Sequence, residues 1–155
     1  MNVMIRKMTL DDIEQVIAID RVSFSLPWPE RSFRFELTDN PASRCWVAEV
    51  DGKIVGMIVV WLIVDEVHVA TIATHPDFRR QGIAKNLLSH ALQHLSNEGA
   101  QSSFLEVRAS NLAAQELYRK FGYEESGVRR RYYRDNDEDA LLMTLESLDL
   151  EKLGR

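Results

Sequence analysis

The length, composition and charge of this chain exclude several classes of protein. Its 155 residues suit one compact domain with a real core, and 45% hydrophobic with 28% charged residues is ordinary for a soluble globular protein. The formal net charge of −5 argues against a general nucleic-acid binder.

The chain also lacks the marks of a secreted, membrane or metal-binding protein. Cys45 is the single cysteine, so neither an intramolecular disulfide nor a cysteine-rich zinc site can form. The N-terminus has no apolar signal core, and the apolar run Ile54–Val64 is too short to span a bilayer. We expect a cytoplasmic protein without a metal site, with residues 1–146 as one domain and 147–155 as a polar tail.

Apolar periodicity and turn residues divide the chain into strands and helices. Thr9 ahead of two aspartates is typical of a helix N-cap, and Asp51-Gly52 is a strong hairpin turn. We predict strands at Val3–Met8, Cys45–Val50, Lys53–Val64, Val67–Thr74, Ser103–Val107, Tyr123–Gly127 and Asp139–Leu145. We predict helices at Thr9–Ser23, Pro29–Leu37, Gly82–Glu98 and Asn111–Phe121. This order predicts an α/β protein in which a mixed sheet carries helices on both faces.

The stretch from Val67 to Lys85 has the features of a phosphate-binding site. An apolar strand ends at His75-Pro76, a short basic loop follows, and Gly82 opens an amphipathic helix. Backbone N–H groups at a helix N-terminus, together with the guanidinium groups of Arg79 and Arg80, suit a pyrophosphate. The alternative is a solvated surface loop. The absence of Walker and Gly-x-Gly-x-x-Gly patterns disfavours nucleotide sites of those two kinds.

The spacing Arg79-x-x-Gly82-x-Ala84 after a strand resembles the acyl-CoA-binding motif of the Gcn5-related N-acetyltransferase (GNAT) family. Ile72-Ala73-Thr74-x-Pro76 and Leu87-Leu88 fit the same pattern. The resemblance implies a single-domain GNAT fold, with a mixed, mostly antiparallel sheet of six to seven strands and about four helices, and acetyl-CoA as donor. The cofactor-binding residues that it implies are Ile72, Ala73, Thr74, Arg79, Arg80, Gln81, Gly82, Ile83, Ala84, Lys85, Asn111 and Tyr118.

A second motif lies between Leu105 and Tyr123. The string LEVRASN, followed by Leu117-Tyr118 and FGY, resembles the bacterial RimI-like branch, which acetylates the N-terminal alanine of a small-subunit ribosomal protein. Pro27-Trp28 and the run RRRYYRDNDEDALLM also resemble that branch, so the resemblance covers roughly residues 3–145. Without the first motif, these residues also suit a buried strand and an amphipathic helix with a core tyrosine.

The resemblance implies roles for individual side chains. In RimI-like enzymes the position of Glu106 is the general base, and that of Tyr118 is the general acid that protonates the departing sulfur. Asn111 lies where the family uses an amide to hold pantetheine. Two alternatives stay open: Glu106 is a salt-bridge anchor, or His68, with an unperturbed pKa near 6.5, is the base instead.

The ionisation of the acceptor favours an N-terminal amine. An α-amino group has a pKa near 7.7–8.0 and a lysine near 10.4, so at pH 7 ~10% of the former is neutral. For lysine the neutral fraction is only about one part in 2,500. A carboxylate is a weak base for either amine unless burial raises its pKa or a water relays the proton.

Two aromatic segments are candidates for the acceptor site. Ser23–Phe35 includes Pro27 and Trp28, which either form a peptide-binding wall or pack the first helices on the sheet. Tyr132 and Tyr133 lie in a predicted hairpin loop whose arginines resemble an RNA-binding patch, although the acidic residues that follow offset that charge. The predicted substrate-binding residues are Pro27, Trp28, Glu106, Tyr132 and Tyr133.

These observations predict an acetyl-CoA-dependent N-acetyltransferase that acts on a protein N-terminus, such as that of a ribosomal protein, by direct transfer in a ternary complex. Cys45 is expected to be a buried hydrophobe and not an acetyl carrier. The alternatives are a GNAT enzyme for lysine or small-molecule amines, a non-catalytic acyl-CoA-binding regulator, and, with less support from the charge, a ribosome-binding module. We expect a monomer or weak homodimer without direct nucleic-acid or membrane contact.

Overall fold

The computed structural model of the chain describes residues 2–149. These residues form seven strands and four α-helices, which confirms the predicted α/β class. Residues 146–149 belong to neither a helix nor a strand, and the rest of the predicted tail, from 150 onwards, lies outside the described residues. Within residues 2–149 there is no helix with the length and apolarity that a membrane span requires.

The predicted elements are all present, with bounds that differ by a few residues. The strands are β1 (Met4–Lys7), β2 (Ser43–Val50), β3 (Lys53–Ile63), β4 (Glu66–Thr74), β5 (Ser102–Arg108), β6 (Glu124–Arg129) and β7 (Ala140–Leu145). The helices are α1 (Ile13–Ser23), α2 (Glu30–Thr38), α3 (Ile83–Asn97) and α4 (Leu112–Phe121). The predicted hairpin turn at Asp51-Gly52 is confirmed by two successive left-handed residues, with φ of 50° and 80°.

The first helix starts later than its N-cap signal predicts. Leu10–Asp12 forms a 3-10 turn ahead of α1. Asp12 accepts hydrogen bonds from the Thr9 N–H (2.8 Å) and from two guanidinium nitrogens of Arg6 (2.8 and 2.9 Å). The Asp12 carboxylate therefore closes the turn at Thr9 and ties it to β1, and the α-helical ladder begins only at Ile13.

One sheet contains all seven described strands, in the order β1-β2-β3-β4-β5-β7-β6. β1–β2, β2–β3, β5–β7 and β6–β7 are antiparallel, whereas β4 and β5 run parallel. The chain divides into two compact units. The first holds the residues up to Trp61 and Ala70–Ala91, and the second holds Leu62–Val69 and the residues from Leu92 onwards.

The core of the first unit joins α1 and α2 to β2 and β3. Val16 and Ile19 of α1, Phe33 of α2 and Met57 of β3 are fully buried in one cluster. Each such side chain stabilises the fold by about 1.5–3 kcal/mol through removal of apolar surface from water. This packing holds the ends of α1 and α2, and the chain between them, against the sheet.

Gly56 allows α3 to pack close to the sheet within the first unit. A Cβ built on Gly56 would lie 2.8 Å from Ile83 Cγ2, 3.1 Å from Leu87 Cδ1 and 3.3 Å from the Ala73 carbonyl oxygen. The missing side chain therefore sets the distance between the start of α3 and the end of β4. A glycine inside an otherwise apolar strand is the sequence signal of such an approach.

The second unit is organised around β5. This strand pairs in parallel with β4, where Val67 is opposite Ser103, and antiparallel with β7. Tyr123 donates a hydrogen bond to Ser103 Oγ (2.7 Å), which donates to the Val67 carbonyl (2.8 Å). This buried chain of hydrogen bonds links Tyr123, which lies just beyond the C-terminus of α4, to β5 and β4. It thereby helps to set the position of α4.

We expect Gly56→Ala to destabilise the protein by about 1–3 kcal/mol, because the added methyl group overpacks the contact with α3. Gly127→Ala is the matched control: Gly127 is also in a strand, but a Cβ there would approach only the end of the Leu142 side chain, at 3.2 Å. Urea unfolding of both variants measures the difference. Equal stabilities would show that α3 does not depend on Gly56.

Candidate active site

The loop between β4 and α3 presents an exposed backbone at a helix N-terminus. Arg80 and Gly82 both have left-handed φ angles, 63° and 80°. A Cβ on Gly82 would meet nothing within 4 Å, so there is space for a side chain. Glycine is favoured there because of its left-handed φ angle. The first N–H groups of α3, which begins at Ile83, have no acceptor within the helix. These unobstructed N–H groups and the positive end of the helix dipole suit a phosphate.

The turn that leads into this loop is fixed by local hydrogen bonds. The His75 N–H donates to the Val55 carbonyl of β3 (2.7 Å), and His75 Nδ1 accepts from the Asp77 N–H (3.1 Å). Pro76–Phe78 forms a 3-10 turn, and Lys53 Nζ lies 5.7 Å from the centre of the Phe78 ring. The loop is therefore anchored to the adjacent strand on the side that precedes Arg79.

The two arginines of the loop have different environments. Arg79 Nε donates to the Thr74 carbonyl (3.3 Å), and an Arg79 terminal nitrogen lies 3.5 Å from Ser23 Oγ at the end of α1. Arg80 and Gln81 are exposed. Arg79 is exposed as well, so both guanidinium groups are accessible to an anion, and Arg79 also supports the loop. The predicted cofactor residues that are partly exposed here are Ile72, Thr74, Ala84 and Lys85, and those that are buried are Ala73 and Ile83.

In the second unit, the parallel pairing of β4 and β5 brings His68 against Glu106. His68 is opposite Phe104 in the register, and the two rings stack at 4.5 Å with an interplanar angle of 5°. Glu106 is the next residue of β5 on the same face, and its Oε2 lies 2.7 Å from His68 Nε2. The side chains of His68 and Glu106 are 15% and 14% exposed. The two candidate bases from the sequence are therefore direct hydrogen-bond partners.

The contact changes the acidity of Glu106. The hydrogen bond from His68 lowers the pKa of the Glu106 carboxyl below its usual range and outweighs the opposing effect of burial. Arg129 adds a weaker effect in the same direction. The carboxylate therefore stays ionised at neutral pH. Burial acts in the opposite direction but is outweighed, so the contact with His68 leaves this carboxylate less basic than a free one.

Tyr118 has the features of a proton donor. It lies on α4, is 5% exposed, and its hydroxyl makes no hydrogen bond to any other described residue. Burial, followed by the influence of Tyr133, raises the pKa of Tyr118 above its ordinary value near 10. The group is therefore protonated at all assay pH values. Asn111 is the N-cap of α4, and its Oδ1 accepts from the Ala114 N–H (3.2 Å).

Tyr132 and Tyr133 lie between β6 and β7, and their environments differ. Tyr132 is exposed and packs edge-on against Tyr133 at 5.1 Å. Tyr133 is half-buried. Burial raises its pKa to about 12, and the charge of Glu106 acts in the same direction, whereas Arg108 lowers the pKa. Because Tyr133 also affects the pKa of Tyr118, it lies near both candidate catalytic residues in the second unit.

The chain between α1 and α2 borders a cavity of about 390 Å³ in the first unit. Trp28 packs on the buried Phe33, with ring centres 5.2 Å apart, and also lines the cavity; the peptide-binding role of this segment stays a prediction. Pro27 is exposed. The residues that line the cavity are Trp28, Arg31, Ser32, Phe35, Glu36 and Trp61. Buried Glu36 accepts hydrogen bonds from Trp61 Nε1 and from the Asn40 amide, which fixes the floor of the cavity.

Asp20, at the end of α1, holds this segment in place. It is 1% exposed; its Oδ2 accepts from the Trp28 N–H (2.7 Å), and its Oδ1 has no hydrogen-bond partner among the described residues. Burial raises the pKa of Asp20 to about 6. Sequence analysis does not identify Asp20, Glu36 or Arg108 as parts of a site, because what marks them is the burial of Asp20 and the side-chain contacts of Glu36 and Arg108, which appear only in the folded chain.

The chain matches known acetyltransferases over most of its length. The family model described as "Acetyltransferase (GNAT) family" matches residues 13–123. A putative [ribosomal protein bS18]-alanine N-acetyltransferase of Bacillus subtilis is 40% identical over 139 residues, which cover 90% of this chain and 92% of the relative. The [ribosomal protein bS18]-alanine N-acetyltransferase of Escherichia coli K12 is 34% identical over 145 residues, with 86% and 90% covered.

A solved structure supports the same grouping. The crystal structure of the ribosomal-protein-S18-alanine N-acetyltransferase from Escherichia coli superposes with a TM-score of 0.85 and 32% sequence identity. The match covers 93% of both chains.

We expect Asp20→Asn to become more stable than the wild-type protein as the pH rises. Because the pKa of Asp20 is raised to about 6 in the folded state, its ionisation favours unfolding. This cost is absent below the unfolded pKa near 3.9 and is complete above about pH 6. Asparagine can still accept from the Trp28 N–H. Between about pH 4 and pH 8 the variant should gain about 1–3 kcal/mol relative to the wild type.

Thermal unfolding at several pH values measures this gain, and Asp11→Asn, at an exposed position in the same region, is the control. A stability difference that does not change with pH would contradict the burial of an ionised Asp20.

Proposed function

This chain belongs to the acetyltransferase (GNAT) family, and from that premise we propose that it transfers the acetyl group of acetyl-CoA to the α-amino group of a protein N-terminus. The N-terminal alanine of a ribosomal protein is the acceptor that its relatives suggest. The observation that carries the proposal is the 2.7 Å contact between His68 and Glu106, the pair that we propose as acceptor of the amine proton.

The pair works as a unit. In the proposed pair, an ionised Glu106 accepts the hydrogen of His68 Nε2 and so favours the tautomer of the imidazole that carries its lone pair on Nδ1, the proposed proton acceptor. Glu106 then stabilises the imidazolium that forms. Since the α-amino group has a pKa near 7.7–8.0, ~10% of it is neutral at pH 7 and removal of the proton from the rest costs little free energy. A lysine amine, with a pKa near 10.4, would keep most of its proton under the same conditions.

Tyr118 completes the reaction. The amine nitrogen attacks the thioester carbonyl carbon, the C–S bond breaks, and the departing sulfur takes the hydroxyl proton of Tyr118. The products are the N-acetylated chain and the CoA thiol; the amine proton passes through the His68–Glu106 pair to solvent, and Tyr118, left as a tyrosinate, regains its proton from solvent. A hydroxyl without a partner among the described residues is available for this step, and its raised pKa keeps it protonated until the sulfur leaves.

Acetyl-CoA fits the loop at the start of α3. The exposed backbone at Gly82 and the first N–H groups of α3 would hold the pyrophosphate, with Arg79 and Arg80 as the accessible cations. Ile72 and Thr74 of β4 would pair with the pantetheine arm, and Asn111 remains a proposed contact for the same arm. β4 also carries His68, so one strand bears both the proposed cofactor contacts and half of the proton-accepting pair.

On the acceptor side, we assign Pro27 and Trp28 to the wall of the peptide site and Tyr132 and Tyr133 to contacts with the peptide terminus. The cavity beside Trp28 supports this assignment for the first pair, since it is large enough for a side chain of the acceptor. The position of Tyr133 near Glu106 supports it for the second pair.

Mass spectrometry of a peptide panel tests the proposed function. Peptides that begin with Ala, Ser, Gly or Met are incubated with the protein and acetyl-CoA, beside N-terminally blocked peptides that carry an internal lysine. We expect acetylation of free N-termini, with alanine among the best, and none on the blocked peptides. Acetylation of the blocked peptides would show that a lysine side chain is the acceptor. No label on any peptide would contradict the proposal and favour a small-molecule acceptor.

We expect Glu106→Gln to lower kcat/KM by about 10²–10⁴-fold near pH 7, because glutamine cannot stabilise the imidazolium of His68. The loss should shrink towards about pH 9, where the α-amino group is already neutral without a base. Steady-state rates over this pH range measure the effect, with Glu116→Gln on the exposed side of α4 as the control. A loss that is uniform with pH would assign Glu106 a positioning role instead.

Tyr118→Phe should lower kcat by about 100-fold and leave the KM for acetyl-CoA within about twofold, because only the proton for the leaving sulfur is lost. Tyr123→Phe is the matched control: it removes a buried hydroxyl that donates to Ser103, which should cost about 1 kcal/mol of stability but little activity. An unchanged kcat in Tyr118→Phe would exclude the residue as the general acid.

A further inference from the structure

Arg108 of β5 connects the strand that carries Glu106 to the loop between β6 and β7. Its two terminal nitrogens bind Asp135 Oδ2 (3.0 Å) and Glu138 Oε1 (3.2 Å). The three side chains are 20%, 20% and 13% exposed. The acidic residues of the loop therefore do more than offset its arginines: two of them are bound by Arg108.

Further bonds fix the same loop to the turn before α4. Glu138 Oε2 accepts from the Ser110 N–H (2.6 Å), and the hydrogen bonds from Ser110, with smaller effects of Arg108 and Asn136, lower the pKa of Glu138 to about 2. Glu138 is thus ionised throughout the working pH range. The Tyr133 N–H donates to the Glu138 carbonyl (3.1 Å), so the residue that Arg108 binds is itself bonded to the backbone of Tyr133.

The guanidinium group of Arg108 also lies over the Tyr133 ring, with its central carbon 3.9 Å from the ring centre. Arg108 therefore contacts the ring of Tyr133 directly. It also binds Glu138, whose carbonyl accepts a hydrogen bond from the Tyr133 backbone. Glu106 lies two residues before Arg108 on the same strand and the same face. Tyr133 is consequently held beside the strand face that carries Glu106.

We infer that Arg108 is a positioning residue for the acceptor peptide: clamped by Asp135 and Glu138, it holds Tyr133 where that side chain meets the peptide terminus. The inference rests on the proposed function, because it needs a peptide acceptor. Lysine cannot replace Arg108, since a planar guanidinium is required to bind two carboxylates and stack on a ring at once.

Arg108→Lys tests the inference, with Arg134→Lys, an exposed arginine of the same loop, as the matched control. We expect the KM for the peptide to rise about tenfold in Arg108→Lys, while kcat and the KM for acetyl-CoA stay within about twofold. Arg134→Lys should leave all three unchanged. Glu138→Gln, which loosens the clamp from the other side, should raise the peptide KM in the same way.

A double-mutant cycle with Tyr133→Leu, which removes the aromatic ring, distinguishes positioning from a general loss of structure. If Arg108 acts through the Tyr133 side chain, Arg108→Lys should change the peptide KM by less than about twofold in the Tyr133→Leu background. In protein labelled with fluorotyrosine, the ¹⁹F resonance of Tyr133 should shift in Arg108→Lys but not in Arg134→Lys.

The outcomes separate this inference from the proposed function. A wild-type protein that acetylates no peptide would overturn the proposed function, and the ¹⁹F spectra would still report whether Arg108 holds Tyr133. A wild-type protein that acetylates peptides, with an unchanged peptide KM and Tyr133 resonance in Arg108→Lys, would overturn the inference alone. Equal effects of Arg108→Lys in both Tyr133 backgrounds would do the same.

Discussion

The hydrogen bond between His68 and Glu106 requires β4 and β5 to run parallel in one register, and the rest of the proposed chemistry depends on it. His68 stacks on Phe104, which turns its Nε2 towards the next residue on that face of β5. The contact lowers the pKa of Glu106 and thereby gives the two side chains different tasks. In the proposed mechanism, Glu106 stays charged and orients the imidazole, and the imidazole exchanges the proton. A shift of one residue in the register would place Glu106 on the opposite face of the sheet.

The second unit also contains Tyr118 and Tyr133, for which we propose different roles. Tyr118 is fixed by α4, whose position follows from the buried hydrogen bonds of Tyr123 and Ser103, and it offers an unpartnered hydroxyl. Tyr133 is held by Arg108, which is itself bound by acidic residues of the same loop. A helix thus carries the proposed acid and a clamped loop carries the proposed peptide contact. Because the two tyrosines are on separate elements, a change in the loop that carries Tyr133 need not displace Tyr118.

The sequence predicts the elements well because periodicity and turn residues are local signals. Asp51-Gly52 and the apolar face of α3 needed no tertiary information, and the motif around Glu106 and Tyr118 made both side chains candidates for the site. The contact of Glu106 with His68, 38 residues earlier in the chain, could not be predicted, since it follows from strand register. The same limit applies to Arg108, whose partners lie in a distant loop, and to the role of Gly56, which depends on the approach of α3. The individual site assignments remain predictions.

A crystal structure with a conjugate of CoA joined to the α-nitrogen of an alanine-initiated peptide would test the account most directly. We predict that the peptide nitrogen lies within hydrogen-bond reach of His68 or Glu106, directly or through one water, and that the Tyr118 hydroxyl faces the sulfur. A peptide nitrogen remote from both His68 and Glu106, with another side chain in their place, would contradict the central claim that this pair accepts the proton.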